Sequence, residues 1–214
     1  YDHPAEAEAS QGGRRALAPS EYFVRLAHQL VAALTSHGAE RRLWDIDMRL
    51  RPSGSKGPVA VSLEAFAKYH QENAWTWERM ALTRARPVAG PPALKRRVQA
   101  MLRAVLTQPA AAGTALDDAA AMRRRLLREL PAEGPWDIKT LPGGLMEVEF
   151  IAQTLQLIHA HDHPAVLDTN TLAALAKLHG AGLLPDADHA ALKRAGMLYH
   201  RLTQMLRLCL DGPY

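Results

Sequence analysis

The sequence predicts an α+β chain that is mostly α, with a mixed α/β piece first and a helical bundle behind it. Three observations carry that prediction. Residues 44–52 alternate apolar and charged side chains with the period of a β-strand. From about residue 92 onward, apolar residues recur at helical spacing to the end of the sequence. Pro and Gly clusters such as Pro131-Ala132-Glu133-Gly134-Pro135 separate those helical segments. With 214 residues, 48% of them hydrophobic, the chain can bury one sizeable core or two small ones. The expected division is residues 1–90 for the mixed piece and 91–214 for the helical domain.

Taken in order, residues 1–19 are polar, without periodicity, and read as a loop. Ser20 can cap a helix whose apolar positions are Phe23, Leu26, Ala27, Leu30 and Leu34, with Gly38 as its stop. The alternating strand follows, then the turn Ser53-Gly54-Ser55-Lys56-Gly57 and a short Val59-Ala60-Val61 strand, which together read as a hairpin. Ser62 opens a helix with Leu63, Phe66, Ala67, Ala74, Trp77 and Ala81 on one side. Arg84 to Gly90 is short and broken by Pro87, so it is an edge strand or a loop. Helices are then expected to start near Pro92, Ala115, Gly144, Thr169 and Asp188. The Ala-rich stretch from Ala110 to Ala121 reads as a linker running into one of them. The helix after Gly144 should bury Leu145, Val148, Ala152, Leu155 and Ile158.

The stretch Trp44-Asp45-Ile46-Asp47-Met48-Arg49-Leu50-Arg51-Pro52 carries the chemistry. As a strand it turns Ile46, Met48 and Leu50 to one face and Asp45, Asp47, Arg49 and Arg51 to the other. Two carboxylates followed by two guanidinium groups suit a divalent cation and then a polyphosphate. An ordinary half-buried strand with its exposed side paired in salt bridges fits the same pattern.

Composition narrows the classes. No apolar run approaches the length of a membrane span and nothing resembles a signal peptide. The lone Cys209 excludes an internal disulfide framework, so a reducing cytoplasm is the expected setting. The net charge of +4 can draw a nucleotide or an acidic protein surface, but no aromatic-basic stacking pattern points to nucleic acid. The first residue is Tyr1, without an initiator Met, and a piece of a longer protein is expected.

Asp45-Ile46-Asp47-Met48-Arg49-Leu50-Arg51-Pro52-Ser53-Gly54 is followed by Ser62-Leu63-Glu64-Ala65-Phe66, Tyr69, Ala74-Trp75-Thr76-Trp77-Glu78 and Arg84-Ala85-Arg86. Asp137-Ile138-Lys139 and Gly143-Gly144-Leu145-Met146-Glu147-Val148-Glu149-Phe150 come later. In this combination and order, over roughly residues 20–160, the sequence resembles the glutamine synthetase adenylyltransferases, bacterial regulators of nitrogen assimilation. Members carry two similar nucleotidyltransferase halves. The deadenylylating half has a Gly-Arg-Asp-Trp-Glu type sequence where this chain has Ala74-Trp75-Thr76-Trp77-Glu78, so the resemblance is to the C-terminal, adenylylating half.

The resemblance implies a polymerase β-like nucleotidyltransferase core in residues 1–90, with a helical domain in 91–214. It implies transfer of AMP from ATP to a tyrosine of glutamine synthetase, with Mg²⁺, under control of a PII-type signalling protein. Such transfer uses three carboxylates to hold two metal ions. By resemblance Asp47 is the third carboxylate and Asp45 a supporting metal ligand, while Arg49, Arg51, Ser53, Gly54 and Lys139 approach the nucleotide. The first two carboxylates belong to a Gly-Ser-Asp-x-Asp motif that occurs nowhere in these 214 residues. The core is therefore expected to be incomplete, truncated on its N-terminal side, and the chain alone inactive. A non-catalytic module docking glutamine synthetase or a PII-type protein is the alternative. Another polymerase β-like nucleotidyltransferase, acting on PII itself or on a small molecule, is a third.

Other candidates have plainer readings beside the functional one. Ser53 and Gly54 make a turn as readily as a phosphate approach. Gly143-Gly144 before a helix offers an anion site, and Lys139 a cation for it or an ordinary exposed lysine. Glu147 and Glu149 stand about 200° apart on a helix and cannot face one metal together. Trp75 and Trp77 divide between a core and an interdomain contact, and Glu78 can hold Arg84 or Arg86. His159, His161 and His163 lack a second ligand group with zinc spacing, and Cys209 reads as a buried small residue.

Overall fold

A computed structural model describes residues 1–3, 8–35 and 46–209. Its helices are α1 (Pro19–Thr35), α2 (Leu63–Glu72), α3 (Thr76–Leu82), α4 (Pro92–Leu106), α5 (Ala112–Glu129), α6 (Leu145–His159), α7 (Thr171–Gly180) and α8 (Asp186–Cys209). Short 3-10 turns cover Gly54–Lys56 and Pro164–Val166. No strand occurs among the described residues. No helix among them is long and apolar enough to cross a membrane.

This overturns the α+β expectation: the described residues are helical, and the polymerase β-like core is not seen. The physical reason lies in the backbone of residues 46–57. A strand exists only where its N–H and C=O groups pair with another strand, and here local bonds take them first. The Arg49 N–H donates to the Asp47 carboxylate at 2.9 Å, and the Arg51 N–H donates to the Arg49 carbonyl at 3.0 Å. The Arg51 guanidinium donates to the Met48 carbonyl. Such side-chain bonds offer the backbone an alternative to a ladder. The expected hairpin is absent for the same reason, and Val59-Ala60-Val61 runs through bends.

The chain divides into two compact units. One comprises Tyr1–Ala74 and Pro87–Met101, the other Trp75–Arg86 and Leu102–Tyr214. In the first, the apolar positions of α1 fall where their spacing puts them, yet the helix has no buried residue and Leu26, Leu30 and Leu34 are exposed. Phe23 stacks on Tyr1 with ring centroids 4.3 Å apart. The Tyr1 amino group donates to the Val61 carbonyl, and the Leu63 N–H donates to the Tyr1 carbonyl, each at 2.8 Å. These bonds flank Ser62 in the pattern of a parallel ladder a single residue long. Ser62 then caps α2, its hydroxyl accepting from the Ala65 N–H at 3.1 Å.

The helix expected to run on from Ser62 instead breaks into α2 and α3. Asn73 ends α2, and the Glu78 carboxylate returns to accept from the Trp75 N–H at 2.9 Å, fixing a new start. Glu78 thus serves the helix start; Arg84 pairs with Glu149 instead.

The core belongs to the second unit. Its centre is Val148, Ala152, Ala160, Val166, Leu175, Leu178 and Leu184, with Leu172, Leu192 and Tyr199 packed around them. α6 buries Val148, Ala152 and Leu157 together with the polar Gln153, Thr154 and Gln156. Gln156 meets its hydrogen-bonding need by accepting from the Asp168 N–H at 2.8 Å, just before Asn170 caps α7. α8 approaches α6 and α7 at Gly196, where a β-carbon would stand 2.8 Å from Leu172 Cδ2. Arg79 on α3 donates to the carbonyls of Val105 and Gln108, closing the C-terminal end of α4, and its burial lowers its pKa.

Candidate functional site

In the first unit, Asp47 and Arg49 form a tight exposed pair. The Arg49 Nε donates to both Asp47 oxygens at 2.9 and 3.0 Å, and Nη2 donates to Oδ2 at 2.6 Å. Residues two apart in an extended stretch share a side, which is how the sequence alone put them together. The side-chain and backbone hydrogen bonds from Arg49 hold the Asp47 carboxyl down at about 2, so it is ionised at neutral pH. Arg49 is 85% exposed and Asp47 55%, so both remain open to an incoming ligand.

Arg51 behaves differently. Its guanidinium turns into the following loop, donating to the carbonyls of Met48, Gly57 and Ser55. It thereby pins the turn that carries Ser53 and Gly54. Ser53 sits at φ 62 and Gly54 at φ 54, both left-handed. The Gly54 N–H donates to the Arg51 carbonyl at 2.8 Å. Gly57 was not singled out from the sequence, yet the turn depends on it. A β-carbon there would fall 2.1 Å from the Pro52 carbonyl oxygen, so only glycine fits. The punctuation Ser-Gly-Ser-Lys-Gly held that signal. Asp45 lies outside the described residues.

Lys139 belongs to the second unit, in the loop from Asp137 to Gly144. The Asp137 carboxylate accepts from the Thr140 hydroxyl at 2.6 Å, and with the Thr140 N–H and Lys139 this holds its pKa below the carboxylate range against burial. The first-turn N–H groups of α6 are already occupied: Leu145 donates to the Ile138 carbonyl at 2.9 Å and Met146 to the Lys139 carbonyl at 3.1 Å. The anion site offered by Gly143-Gly144 is therefore filled by the loop's own carbonyls. Gly143 sits at φ 80, and a β-carbon on Gly144 would lie 2.5 Å from the Ile138 oxygen. The Lys139 side chain is exposed and donates no hydrogen bond to a described residue.

Glu147 and Glu149 point to different neighbours, as their angular separation requires. Arg123 of α5 donates to Glu147 at 2.7 Å, and Arg84 pairs with Glu149. With Thr76 bonded to Asp118, these links join α3, α5 and α6 in a ring of polar clasps. Trp75 is exposed and Trp77 half-buried. His161 lies 3.0 Å from the Thr107 carbonyl through Nδ1. No group of three or more His, Cys, Asp or Glu placed to hold a metal is found among the described residues. Cys209 is exposed at the end of α8 rather than buried.

Comparison with known proteins gives first the class. Residues 1–101 match the family model "Glutamate-ammonia ligase adenylyltransferase", and residues 119–212 match "GlnD PII-uridylyltransferase", both nucleotidyltransferases by name. A bifunctional glutamine synthetase adenylyltransferase/adenylyl-removing enzyme of Rhodopseudomonas palustris is 47% identical over 202 residues, 94% of this chain and 20% of the relative. Relatives of the same name are 42% identical over 214 residues in Bradyrhizobium sp. (100% of this chain, 22% of the relative) and 44% over 212 in Xanthobacter autotrophicus (99% and 21%). The chain belongs to the glutamine synthetase adenylyltransferase family, and it spans about a fifth of the length of the curated relatives it matches.

Proposed function

We propose that the complete protein containing this stretch transfers AMP from ATP to a tyrosine hydroxyl of glutamine synthetase, and that this chain belongs to the adenylylating half. The observation that carries the reading is identity of 42–47% over nearly the whole chain to relatives whose name states that activity. In the reaction the phenol oxygen bonds to the α-phosphorus as the bond to the β-phosphate oxygen breaks. Pyrophosphate leaves with that electron pair, and the phenol proton passes to solvent.

Asp47 suits Mg²⁺ as a ligand in charge and chemistry: it is an exposed, ionised carboxylate, and Mg²⁺ takes one or two carboxylates alongside substrate phosphates. A bound Mg²⁺ would neutralise charge on the phosphates. Asp47 would then release Arg49, whose freed guanidinium would donate to a phosphate oxygen. Asp45 is the second proposed ligand. Arg51 would act by shaping the turn that brings Ser53 and Gly54 to the nucleotide. With so few carboxylates the chain alone is expected to be inactive. The lone cysteine supports a cytoplasmic setting. The match of residues 119–212 supports contact between the helical unit and a PII-type signalling protein.

The test is transfer of label from α-labelled ATP to glutamine synthetase by the complete protein and its Asp47→Asn variant. Labelling that disappears in the variant is expected. Labelling that survives Asp47→Asn removes Asp47 from the metal site, and none from the folded complete protein removes the adenylylating assignment.

A further inference from the structure

We propose that the groove between α5 and α6 docks an amphipathic helix of a partner protein, one whose first turn carries carboxylates. Arg123, late in α5, meets Glu147, in the first turn of α6, at 2.7 Å. Leu116, near the start of α5, lines a common groove with Leu155, near the end of α6. The two helices therefore run antiparallel, and the open groove between them has a volume of about 300 Å³. Its walls are Leu116, Ala119 and Ala120 on α5 and Phe150, Ile151 and Leu155 on α6. The polar groups along it are already engaged: Glu147 by Arg123, and the buried Thr154 hydroxyl by the Met80 sulfur. The lining thus offers apolar contact, and Leu116 and Ile151 stand 51% and 40% exposed there.

A furrow between two antiparallel helices has the shape of a third helix, whose side chains at i, i+4 and i+7 seat between the ridges on either side. Ala119 and Ala120, each with only a methyl group, let its backbone come close. Charge then selects which helix fits. Leu116, Ala120 and Arg124 follow one another at i, i+4 spacing, and Arg128 comes one turn later. Both arginines are exposed, and neither forms an ion pair with a described residue. The acids near them are neutralised, Glu129 by Arg125 at 2.8 Å and Glu147 by Arg123. The edge of the groove therefore carries two open cations at the end where α6 begins. At the other end stands the exposed Asp117, next to Leu116. This pattern complements an occupant that is acidic where it passes Arg124 and Arg128 and basic or neutral where it passes Asp117. A helix meets that demand with its own first turn against the arginines, since its dipole favours carboxylates there. The occupant accordingly runs antiparallel to α5.

The experiment uses the complete protein and two fluorescent synthetic peptides of about four helical turns. Both carry leucines at i, i+4, i+7 and i+11. One has glutamates in its first turn and lysines in its last, and the control has them exchanged. Fluorescence anisotropy is expected to show saturable binding of the acid-first peptide, about three- to tenfold tighter than the control. Ile151→Asp is expected to weaken it about tenfold or more, by setting an unpaired charge against the apolar face. Leu116→Asp, on the opposite wall and also at an exposed position, should do the same, with the melting temperature of each variant close to the parent's. Arg124→Glu combined with Arg128→Glu should reverse the preference in favour of the control peptide. Absence of saturable binding, or binding that neither aspartate variant weakens, overturns the groove as a docking site. A preference for the acid-first peptide that survives the double charge reversal overturns the acidic occupant.

Discussion

Gly144→Ala separates collision from conformational preference, because the backbone at Gly144 (φ −75, ψ −172) is one that alanine adopts freely. The added β-carbon would stand 2.5 Å from the Ile138 oxygen and 2.8 Å from the Leu141 oxygen, both backbone atoms. Those carbonyls accept from the N–H groups of Leu145 and Gly144, at 2.9 and 2.8 Å. Relief of the clash therefore stretches both bonds, at about 1 kcal/mol each. Overpacking strain adds about 1–3 kcal/mol. The reduced freedom of alanine in the unfolded chain returns about 0.4–1 kcal/mol. The net cost is about 2–5 kcal/mol, a fall of about 10 °C or more in the melting of the helical unit. Gly196→Ala is the control. Its β-carbon meets the movable end of Leu172 at 2.8 Å, and the gain in helix propensity, about 1 kcal/mol, offsets the repacking. Thermal unfolding followed by far-ultraviolet circular dichroism measures both. A Gly144→Ala melt within about 3 °C of the parent, or a larger fall for Gly196→Ala, refutes the backbone-on-backbone account of this loop.

Further outcomes follow from the ionisable groups. Arg84→Ala and Arg123→Ala should each destabilise the helical unit by about 1 kcal/mol, modest because the pairs are partly exposed. Glu147→Gln should cost less once Arg123 is gone, read in a double-mutant cycle. The Asp47 carboxyl should titrate by NMR with a midpoint of about 2 and rise in Arg49→Ala while staying below the ordinary range, because the residue-49 N–H still donates to it. Its folded pKa lies below the unfolded one. The pairing therefore favours the fold above the ordinary carboxylate range, and that contribution disappears as pH falls towards about 2. In the helical unit, the Thr140 hydrogen bonds lower Asp137. Burial pushes Asp168 up, but the Asn170 N–H and Lys177 outweigh it and hold it low. Stability should therefore decline as pH drops below the usual carboxylate range, and Asp137→Asn with Asp168→Asn should flatten that decline in acid titrations followed by circular dichroism.

The helices were legible because their determinants are local. Pro92 begins α4 as expected, and Ser62 caps α2 through the Ala65 N–H. Val148 and Ala152 are buried on the face their spacing assigns, and Leu155 packs beside them. The angular argument about Glu147 and Glu149 also needed only helix geometry, and each carboxylate has its own arginine. What spacing could not supply was the partner. Nothing near Glu149 in sequence points to Arg84, and Tyr199 is paired with Gly143 by the packing of α8 alone. The break between α2 and α3 was missed because apolar spacing continues through Ala74 and Trp77, while Asn73 and Glu78 end one helix and begin the next.

Residues 46–52 failed as a strand for the opposite reason. Apolar-polar alternation states which face each side chain takes if the backbone is extended and paired, but it contains no information on whether a pairing strand is within reach. Half of the prediction depends only on local geometry: Asp47 and Arg49 lie on one side and bond to each other. The other half needs a ladder, and without one the Arg51 guanidinium and the Asp47 carboxylate take the backbone groups that a neighbouring strand would have used. Leu50 is then left 67% exposed, although the alternation assigns it to a core. The bonds from Tyr1 to Val61 and Leu63 have ladder geometry but extend no further, since one paired residue does not fix the next. The acid-guanidinium arrangement is thus the part of the site that survives without a sheet. It is held by three side-chain bonds of 2.6–3.0 Å and by the Arg49 N–H, all formed within residues 47–49, so it needs no neighbouring strand to assemble.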